Sequence, residues 1–345
     1  MVITLSIGLT IVFQGSLREV VSQWSALVLL MLYFPIKEAF RRDARAPVIL
    51  FGIVAWVGLF AAMRNYYVYH TMLSSAEHLW QIARGRVYTN DNLFMVSSLC
   101  MLVLLVHADS WRNRLLLLPV FLAPLGGLVL TQSRAFWVAF FFGAVALFLL
   151  VNRRERIRML IISAGGLVAV GAVAFLILGD SLTLIVTGLL ERAASLGTAT
   201  TRDVSLYNRF VESEAVWIEI RKNPILGYGI GVPYRFLDLT HMATRADTFI
   251  HNAFLSVWYR FGIFGLLLLL VAWGGAIVRG YQAFRTRTAH RYVRLAGLAS
   301  TISLLAYLLP ANTSNPFHLN DSLFIFGVLF GMAGGAYACA KGSRD

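Results

Sequence analysis

Charged residues are scarce in this chain, and acidic residues are scarcer than basic ones. Only 14% of the 345 residues are charged, with 17 Asp and Glu against 30 Lys and Arg, whereas 58% are hydrophobic and the mean hydropathy is +0.71. Long apolar runs without charge are typical of helices that cross a lipid bilayer. The composition therefore excludes a soluble globular fold and predicts an integral membrane protein.

Cysteine is nearly absent, and so are the patterns that bind metals. Cys100 and Cys339 are the only cysteines, so the sequence has neither a disulfide framework nor a CxxC site. It also lacks an Asp-x-Asp pair and a His/Asp cluster with the spacing of metal ligands. We therefore expect this protein to use no metal and no cofactor.

Ten apolar segments approach the length that a membrane helix needs, about 17 to 25 residues. The first segment is short and lacks both a basic leader and a cleavage site, so we interpret it as a span or part of one and not as a cleaved signal. Together they predict an all-α, polytopic membrane helix bundle. The segments are residues 1–13, 21–36, 47–63, 92–106, 115–130, 135–151, 159–179, 249–272, 295–310 and 322–340.

More than half of the basic residues lie in short segments on one side of this bundle, at 37–46, 107–114, 152–158, 279–294 and 341–345. Lys and Arg in short loops are retained in the cytoplasm. Both termini are thus expected to be cytoplasmic. The outer loops are then residues 64–91, 131–134, 180–248 and 311–321.

The net charge of +13 could suggest a nucleic-acid partner. However, the basic residues are dispersed among short loops next to the membrane and do not form one domain with aromatic stacking residues. Anionic membrane lipids are the better partner, and we expect no nucleic acid.

The outer segment 180–248 is too long for a simple connection, since loops in compact proteins usually have about 4 to 6 residues. A helix at residues 205–221 is expected to lie flat on the membrane. Its apolar stripe would be formed by Leu206, Phe210, Trp217 and Ile220. Because such a helix needs the membrane to bury this stripe, we treat residues 1–345 as a single integral membrane domain.

His251 and Asn252 begin the segment HNAFLSVWYRFGIFG at the mouth of a predicted membrane helix. In the first turn, the partial positive charge of the helix N-terminus disfavours imidazolium, so the ring is expected to accept a proton. At about 100° per residue, Gly262 and Gly265 lie on the same face of the helix as His251. This predicts a row of glycines against which another helix can pack closely. The alternative is an interfacial histidine without a catalytic role.

Two arginines on the same outer face are candidates for binding an anionic group. Arg134 ends the polar turn TQSR between two spans, where snorkelling to lipid headgroups is the alternative. Arg209 leans toward the bundle from the predicted surface helix, and an ion pair with Glu212 is its alternative. Because guanidinium groups bind diphosphate oxygens bidentately, this face could hold a lipid-linked diphosphate.

Two further residues draw attention near this face. His318, in the outer loop 311–321, is a weaker candidate for substrate binding, and a loop residue without such a role is the alternative. Arg260 lies inside a predicted span, nine residues after His251. It is expected to point away from the histidine and to need a buried acceptor or a water-filled cavity.

With these motifs the chain resembles the superfamily of O-antigen ligases and Wzy-type polymerases over residues 131–272. The resemblance rests on the TQSR turn, on NPILGYGIG after the Arg209 helix, and on the ligase pattern met by His251, Asn252, Gly262 and Gly265. It implies a GT-C-type glycosyltransferase of lipopolysaccharide biosynthesis at the periplasmic face of the bacterial inner membrane. The implied donor is an undecaprenyl-diphosphate-linked glycan, and the acceptor of a ligase is the lipid A-core oligosaccharide.

The resemblance also implies roles for single residues. His251 would be the general base that deprotonates the acceptor hydroxyl. Arg134 and Arg209 would bind the diphosphate and stabilise its developing charge, and Asn252 would contact substrate. Attack opposite the leaving group would invert the anomeric centre.

Three other functions stay open at this point. A Wzy-type polymerase would use the same lipid carrier with another acceptor. A transporter of lipid-linked glycans predicts ionisable residues along a path through the bilayer, whereas the polar residues here cluster on one face. A structural membrane scaffold would suit a long outer loop but leaves the three motifs without an explanation.

Overall fold

The protein is a bundle of helices in a computed structural model that describes residues 2–75, 87, 89–178, 186–188, 190, 194 and 204–342. Parts of the predicted outer loops 64–91 and 180–248 lie outside the described residues. The helices are α1 (Val2–Val12), α2 (Leu17–Val28), α3 (Tyr33–Arg42), α4 (Ala46–Ser74), α5 (Asp91–Val106), α6 (Trp111–Leu130), α7 (Arg134–Leu150), α8 (Arg153–Leu178), α9 (Val204–Lys222), α10 (Ala253–Arg285), α11 (Arg291–Tyr307) and α12 (Asn320–Gly342). Short 3₁₀ helices follow α2 (Leu29–Leu32, η1) and α11 (Pro310–Asn312, η2).

The prediction of an all-α, polytopic membrane protein is confirmed, whereas the number of ten spans is not. Each predicted segment overlaps a helix. In the part of the chain that the structure describes, six helices are long and apolar enough to cross a bilayer. They are Leu17–Arg42, Ala46–Met72, Trp111–Leu130, Ala253–Arg285, Arg291–Asn312 and Asn320–Gly342, while α5 and α7 are apolar but shorter.

The core lies between α5, α11 and α12, and the outer helices turn apolar side chains away from it. Phe94, Ile302 and Phe326 are fully buried at the centre. In contrast, Trp56 on α4 and Phe141 on α7 are each 70% exposed. Such an apolar exterior is stable only in contact with lipid, which agrees with a multi-pass membrane protein.

Helix α10 is fixed to this core by a close contact with α11. A Cβ atom added to Gly280 would lie 2.8 Å from the carbonyl oxygen of Gly297, so the two backbones approach as closely as glycine permits. Further along, the indole of Trp273 donates a hydrogen bond to the carbonyl oxygen of Leu304 at 3.0 Å. These contacts give the segment that precedes α10 a rigid support.

The long outer segment contains a β-hairpin that the sequence does not predict. Strand β1 (Tyr234–Asp238) pairs antiparallel with β2 (Ala243–Asp247), with Tyr234 opposite Asp247. Asp238 closes the turn, since its carboxylate accepts from Nδ1 of His241 at 2.7 Å and from Asn208 on α9 at 3.3 Å. The hydrogen bond from His241 is the main reason that the pKa of Asp238 falls to about 2.

Helix α9 packs on the hairpin with a face other than the predicted apolar stripe. Glu212, Val216 and Ile220, four residues apart, are buried against the hairpin and α10. Phe210 and Trp217 are 57% and 40% exposed. The prediction that Ile220 shares a membrane-facing stripe with these two aromatic residues is therefore wrong, because α9 rests on protein with one face and turns the other outward.

The glycine-rich segment after α9 docks onto α1. Gly227, Gly229 and Gly231 all have positive φ angles. Thr10 donates its hydroxyl to the carbonyl oxygen of Ile230 at 2.7 Å, and the N–H of Ile230 donates to Oγ of Ser6 at 3.1 Å. The segment is thus held in place by hydrogen bonds to the first helix.

Candidate functional site

The imidazole ring of His251 is held by a carboxylate from α9. Glu212 is 2% exposed, and its Oε2 lies 2.6 Å from Nδ1 of His251. The other oxygen of Glu212 accepts the backbone N–H of His251 at 2.7 Å. When Nδ1 donates to this carboxylate, Nε2 of the ring keeps the lone pair that can accept a proton. The side chain of His251 is 40% exposed, so a substrate can reach it.

His251 lies directly before α10, whereas the sequence predicts it in the first turn of that helix. The helix begins at Ala253, and Asn252 is its N-cap. The side-chain oxygen of Asn252 accepts the N–H groups of Phe254 and Leu255 at 3.0 Å, and its amide nitrogen lies 3.5 Å from the carbonyl oxygen of Asn312 in η2. Asn252 thus fixes the start of α10, while Glu212 and not the helix terminus orients the imidazole.

Helix α10 is broken at Gly262, where φ is 66° and ψ is −172°. A Cβ atom there would overlap the carbonyl oxygen of Ile225 in the segment after α9. The predicted row of glycines therefore does not receive another helix at Gly262, because its neighbour is a loop. A Cβ at Gly265 would meet Phe261 of α10 itself.

Backbone hydrogen bonds join this break to the segment after α9. The N–H groups of Tyr228 and Gly229 donate to the carbonyl oxygens of Tyr259 (2.8 Å) and Arg260 (3.1 Å). On the other side of the break, the N–H of Ile263 donates to the carbonyl oxygen of Pro224 at 3.0 Å. The end of α9 and the start of α10 are consequently fixed to each other.

Arg260 is buried and has hydrogen-bond partners in the loops around α10. It is 6% exposed, and its guanidinium donates to the carbonyl oxygen of Thr248 at 2.8 Å and lies 3.2 Å from Nδ1 of His318. Burial, and then the positive charge of Arg260, lower the pKa of His318 to about 4, although Asp247 opposes the shift. His318 therefore stays neutral near pH 7.

An aromatic ring connects the two histidines. The ring of Phe249 lies edge to face with His251 and with His318, at a centroid distance of 4.8 Å in each case. The loop that carries His318 is also fixed to α10, because Asn315 donates to the hydroxyl of Ser256 at 2.8 Å. The structure thus brings His318 to the same site as His251.

The two candidate arginines lie on different helices, Arg134 on α7 and Arg209 on α9. Arg134 is the first residue of α7, directly after the predicted tight turn, and is half-buried. The short helix η2 contacts both α7 and α10, and so links these two helices. Arg209 is half-buried on α9, one turn before Glu212. Both arginines are in contact with other groups of the protein.

Glu212 is the residue that sequence reasoning misses, since it considers Glu212 only as an ion-pair partner of Arg209. The available signal was its spacing, four residues before Val216 and eight before Ile220. Residues at these spacings share one helix face, which puts the carboxylate on the buried face.

Among the described residues, no group of three or more His, Cys, Asp or Glu side chains could hold a metal ion.

Residues 118–270, a little under half of the chain, match the family model described as O-antigen ligase. The matched segment runs from α6 into α10 and contains Arg134, Arg209, Glu212 and His251. The match supports an O-antigen ligase family member, and members of that family are glycosyltransferase-like ligases and polymerases. No curated protein matches the chain.

The break at Gly262 predicts a large effect of a single methyl group. Gly262→Ala should destabilise the protein by about 3 kcal/mol or more, because this backbone conformation strains any other residue and the Cβ overlaps Ile225. Thermal unfolding in detergent measures the loss. Gly274→Ala is the matched control, since open space surrounds a Cβ there. Equal melting temperatures for the two variants would contradict the structural role of the break.

The pKa of His318 predicts a loss of stability on the acid side. The folded protein protonates His318 only near pH 4, whereas an ordinary histidine takes up the proton near 6.5. Between these values the unfolded chain binds more protons, so the free energy of unfolding should fall as the pH drops from 6.5 toward 4. Melting temperatures across this range should fall less steeply in His318→Gln. His70→Gln, at an exposed position on α4, should keep the wild-type slope.

Proposed function

We propose that this member of the O-antigen ligase family transfers a glycan from undecaprenyl diphosphate to a hydroxyl group of the lipid A-core oligosaccharide. The observation that carries the proposal is the Glu212–His251 pair, which leaves Nε2 as a proton acceptor at a half-exposed position. In this mechanism Nε2 takes the proton of the acceptor hydroxyl as its oxygen attacks the anomeric carbon. The bond to the diphosphate breaks with inversion, and its electron pair leaves on undecaprenyl diphosphate.

Glu212 has two tasks in this reaction. It fixes the tautomer and the orientation of the ring through the bond to Nδ1, and it stabilises the imidazolium that forms when Nε2 takes up the proton. Its second oxygen holds the backbone of His251, so the ring cannot turn away without losing both bonds. Glu212 is therefore a positioning residue for the base.

The diphosphate requires positive charge close to the base. Arg209 lies one turn from Glu212 on α9, and Arg134 begins α7, a helix that contacts η2, which in turn contacts α10. Bidentate guanidinium bonds would hold the diphosphate in the donor and grow stronger as negative charge develops on the leaving group. Asn252 supports the site by capping α10, and His318 offers a neutral ring at its edge.

The distribution of basic loops supports an orientation in which both termini are cytoplasmic and His251 faces the periplasm of the inner membrane. In that orientation Phe210 and Trp217, which are exposed on α9, lie at the level of the outer headgroups. A lipid-linked donor presents its diphosphate at the same level. A Wzy-type polymerase would use the same site, and only the acceptor separates the two activities.

The proposed base is tested with purified protein, undecaprenyl-diphosphate-linked O-antigen and lipid A-core, with the conjugate followed on a gel without added metal. His251→Ala should abolish conjugate formation, and Glu212→Gln should lower its rate about 100-fold or more, since general base catalysis contributes about 10²–10⁴. Glu214→Gln, at an exposed position on α9, is the matched control. Wild-type rates in His251→Ala would end the proposal, whereas lengthening of the lipid-linked glycan without conjugate would identify a polymerase.

The two arginines are tested by their effect on the donor. Arg134→Ala and Arg209→Ala should each lower kcat/KM for the donor about 10²–10³-fold, because each removes charge that stabilises the departing diphosphate. The KM for the acceptor should change little. Arg221→Ala, at the exposed end of α9, serves as the control and should retain activity. An unchanged donor kcat/KM in either site variant would remove that arginine from the mechanism.

A further inference from the structure

A second charged site lies at the end of the bundle opposite His251. There the C-terminal ends of α7 and α10 meet the N-terminal ends of α8 and α11 around a cavity of about 420 Å³. The cavity lies at the C-terminal end of α10, whereas His251 directly precedes the N-terminal end of this 33-residue helix. Four arginines line it, Arg156, Arg285, Arg287 and Arg294, and Glu155 is the only acidic residue in the lining.

Two of the arginines are fixed in the wall of the cavity by backbone carbonyl groups. Arg156 donates from Nε to the carbonyl oxygen of Val151 at 3.1 Å and from Nη2 to that of Leu149 at 2.9 Å. Arg294 donates from Nε to the carbonyl oxygen of Phe284 at 3.1 Å. A guanidinium has more N–H donors than these bonds use. Both groups are thus oriented in advance and keep donors for a ligand.

The positive charge of the cavity is not neutralised within it. Among the residues that the structure describes, none of the four arginines forms an ion pair. Glu155 accepts the backbone N–H of Asn152 at 2.9 Å and lies 3.4 Å from Nε2 of His107. Arg285 and Arg287 are exposed at the rim, where they can move toward an anion that enters. The cavity therefore has the charge and the donors for a phosphate group.

Its walls also contain apolar side chains at the membrane-facing ends of the helices. Leu149, Leu150 and Phe284 line the same cavity as the arginines. A free phosphate ion uses only the guanidinium groups, whereas a lipid can also place the first part of its acyl chains on these residues. We propose that this cavity binds the phosphate headgroup of an anionic phospholipid, at a site separate from the donor diphosphate site.

The test uses the full chain in detergent, titrated with phosphatidylglycerol and with phosphatidylethanolamine, and bound lipid is counted by native mass spectrometry. Phosphatidylglycerol should bind more tightly than the zwitterionic lipid. Arg285→Gln/Arg287→Gln should weaken its binding about tenfold, because two charge-assisted contacts are lost. Both positions are exposed, and the anchored Arg156 and Arg294 remain in place, so the fold is kept.

The matched control is Arg41→Gln/Arg42→Gln, which removes the same charge at exposed positions where both arginines pair with Glu38. This control should bind phosphatidylglycerol as the wild type does. An equal loss of phosphatidylglycerol binding in the two double variants, or no loss of binding in Arg285→Gln/Arg287→Gln, would overturn the proposed site. Competition by inorganic phosphate at the concentration of the lipid would overturn the assignment to a lipid and indicate a soluble phosphate ligand.

Discussion

At Gly262 the backbone of α10 leaves the helix and releases the carbonyl groups of Tyr259 and Arg260 from helical hydrogen bonds. Inside a membrane protein such groups must find partners in the protein itself, because water is scarce. The N–H groups of Tyr228 and Gly229 supply them and so fix the end of α9 to the start of α10. Since Glu212 lies on α9 and His251 directly before α10, this junction sets the distance between carboxylate and ring.

The site is rigid because its two halves are supported from different directions. Helix α10 is held against the core by the Gly280–Gly297 contact and by Trp273, far below His251. Helix α9 is held from above by the hairpin, where Asp238 binds Asn208. A hydrogen-bonded pair whose two partners lie on separate elements benefits from this preorganisation.

The helices could be predicted from the sequence because long apolar runs determine where membrane helices lie. The face that each helix buries could not be predicted, because apolar side chains point both to lipid and to protein. The sequence does not show which of the two Phe210 and Trp217 contact. His251 was found from its motif, but the rotation of α9 that brings Glu212 to it depends on contacts 39 residues apart. The break at Gly262 was not predicted either, because placing successive residues about 100° apart around an axis assumes an uninterrupted helix.

The contact between α1 and the glycine-rich segment has a consequence for the order of assembly. Thr10 leaves the ribosome before its partner Ile230, which follows 220 residues later. Until then the Thr10 hydroxyl can bond the carbonyl oxygen of Ser6 within its own helix, so it has an acceptor before Ile230 is present. Contacts of such long sequence separation form late in folding. Helix α1 thus gains these contacts only after α9 has been made, and a nascent chain that ends at α9 contains Glu212 but not the imidazole ring that Glu212 holds.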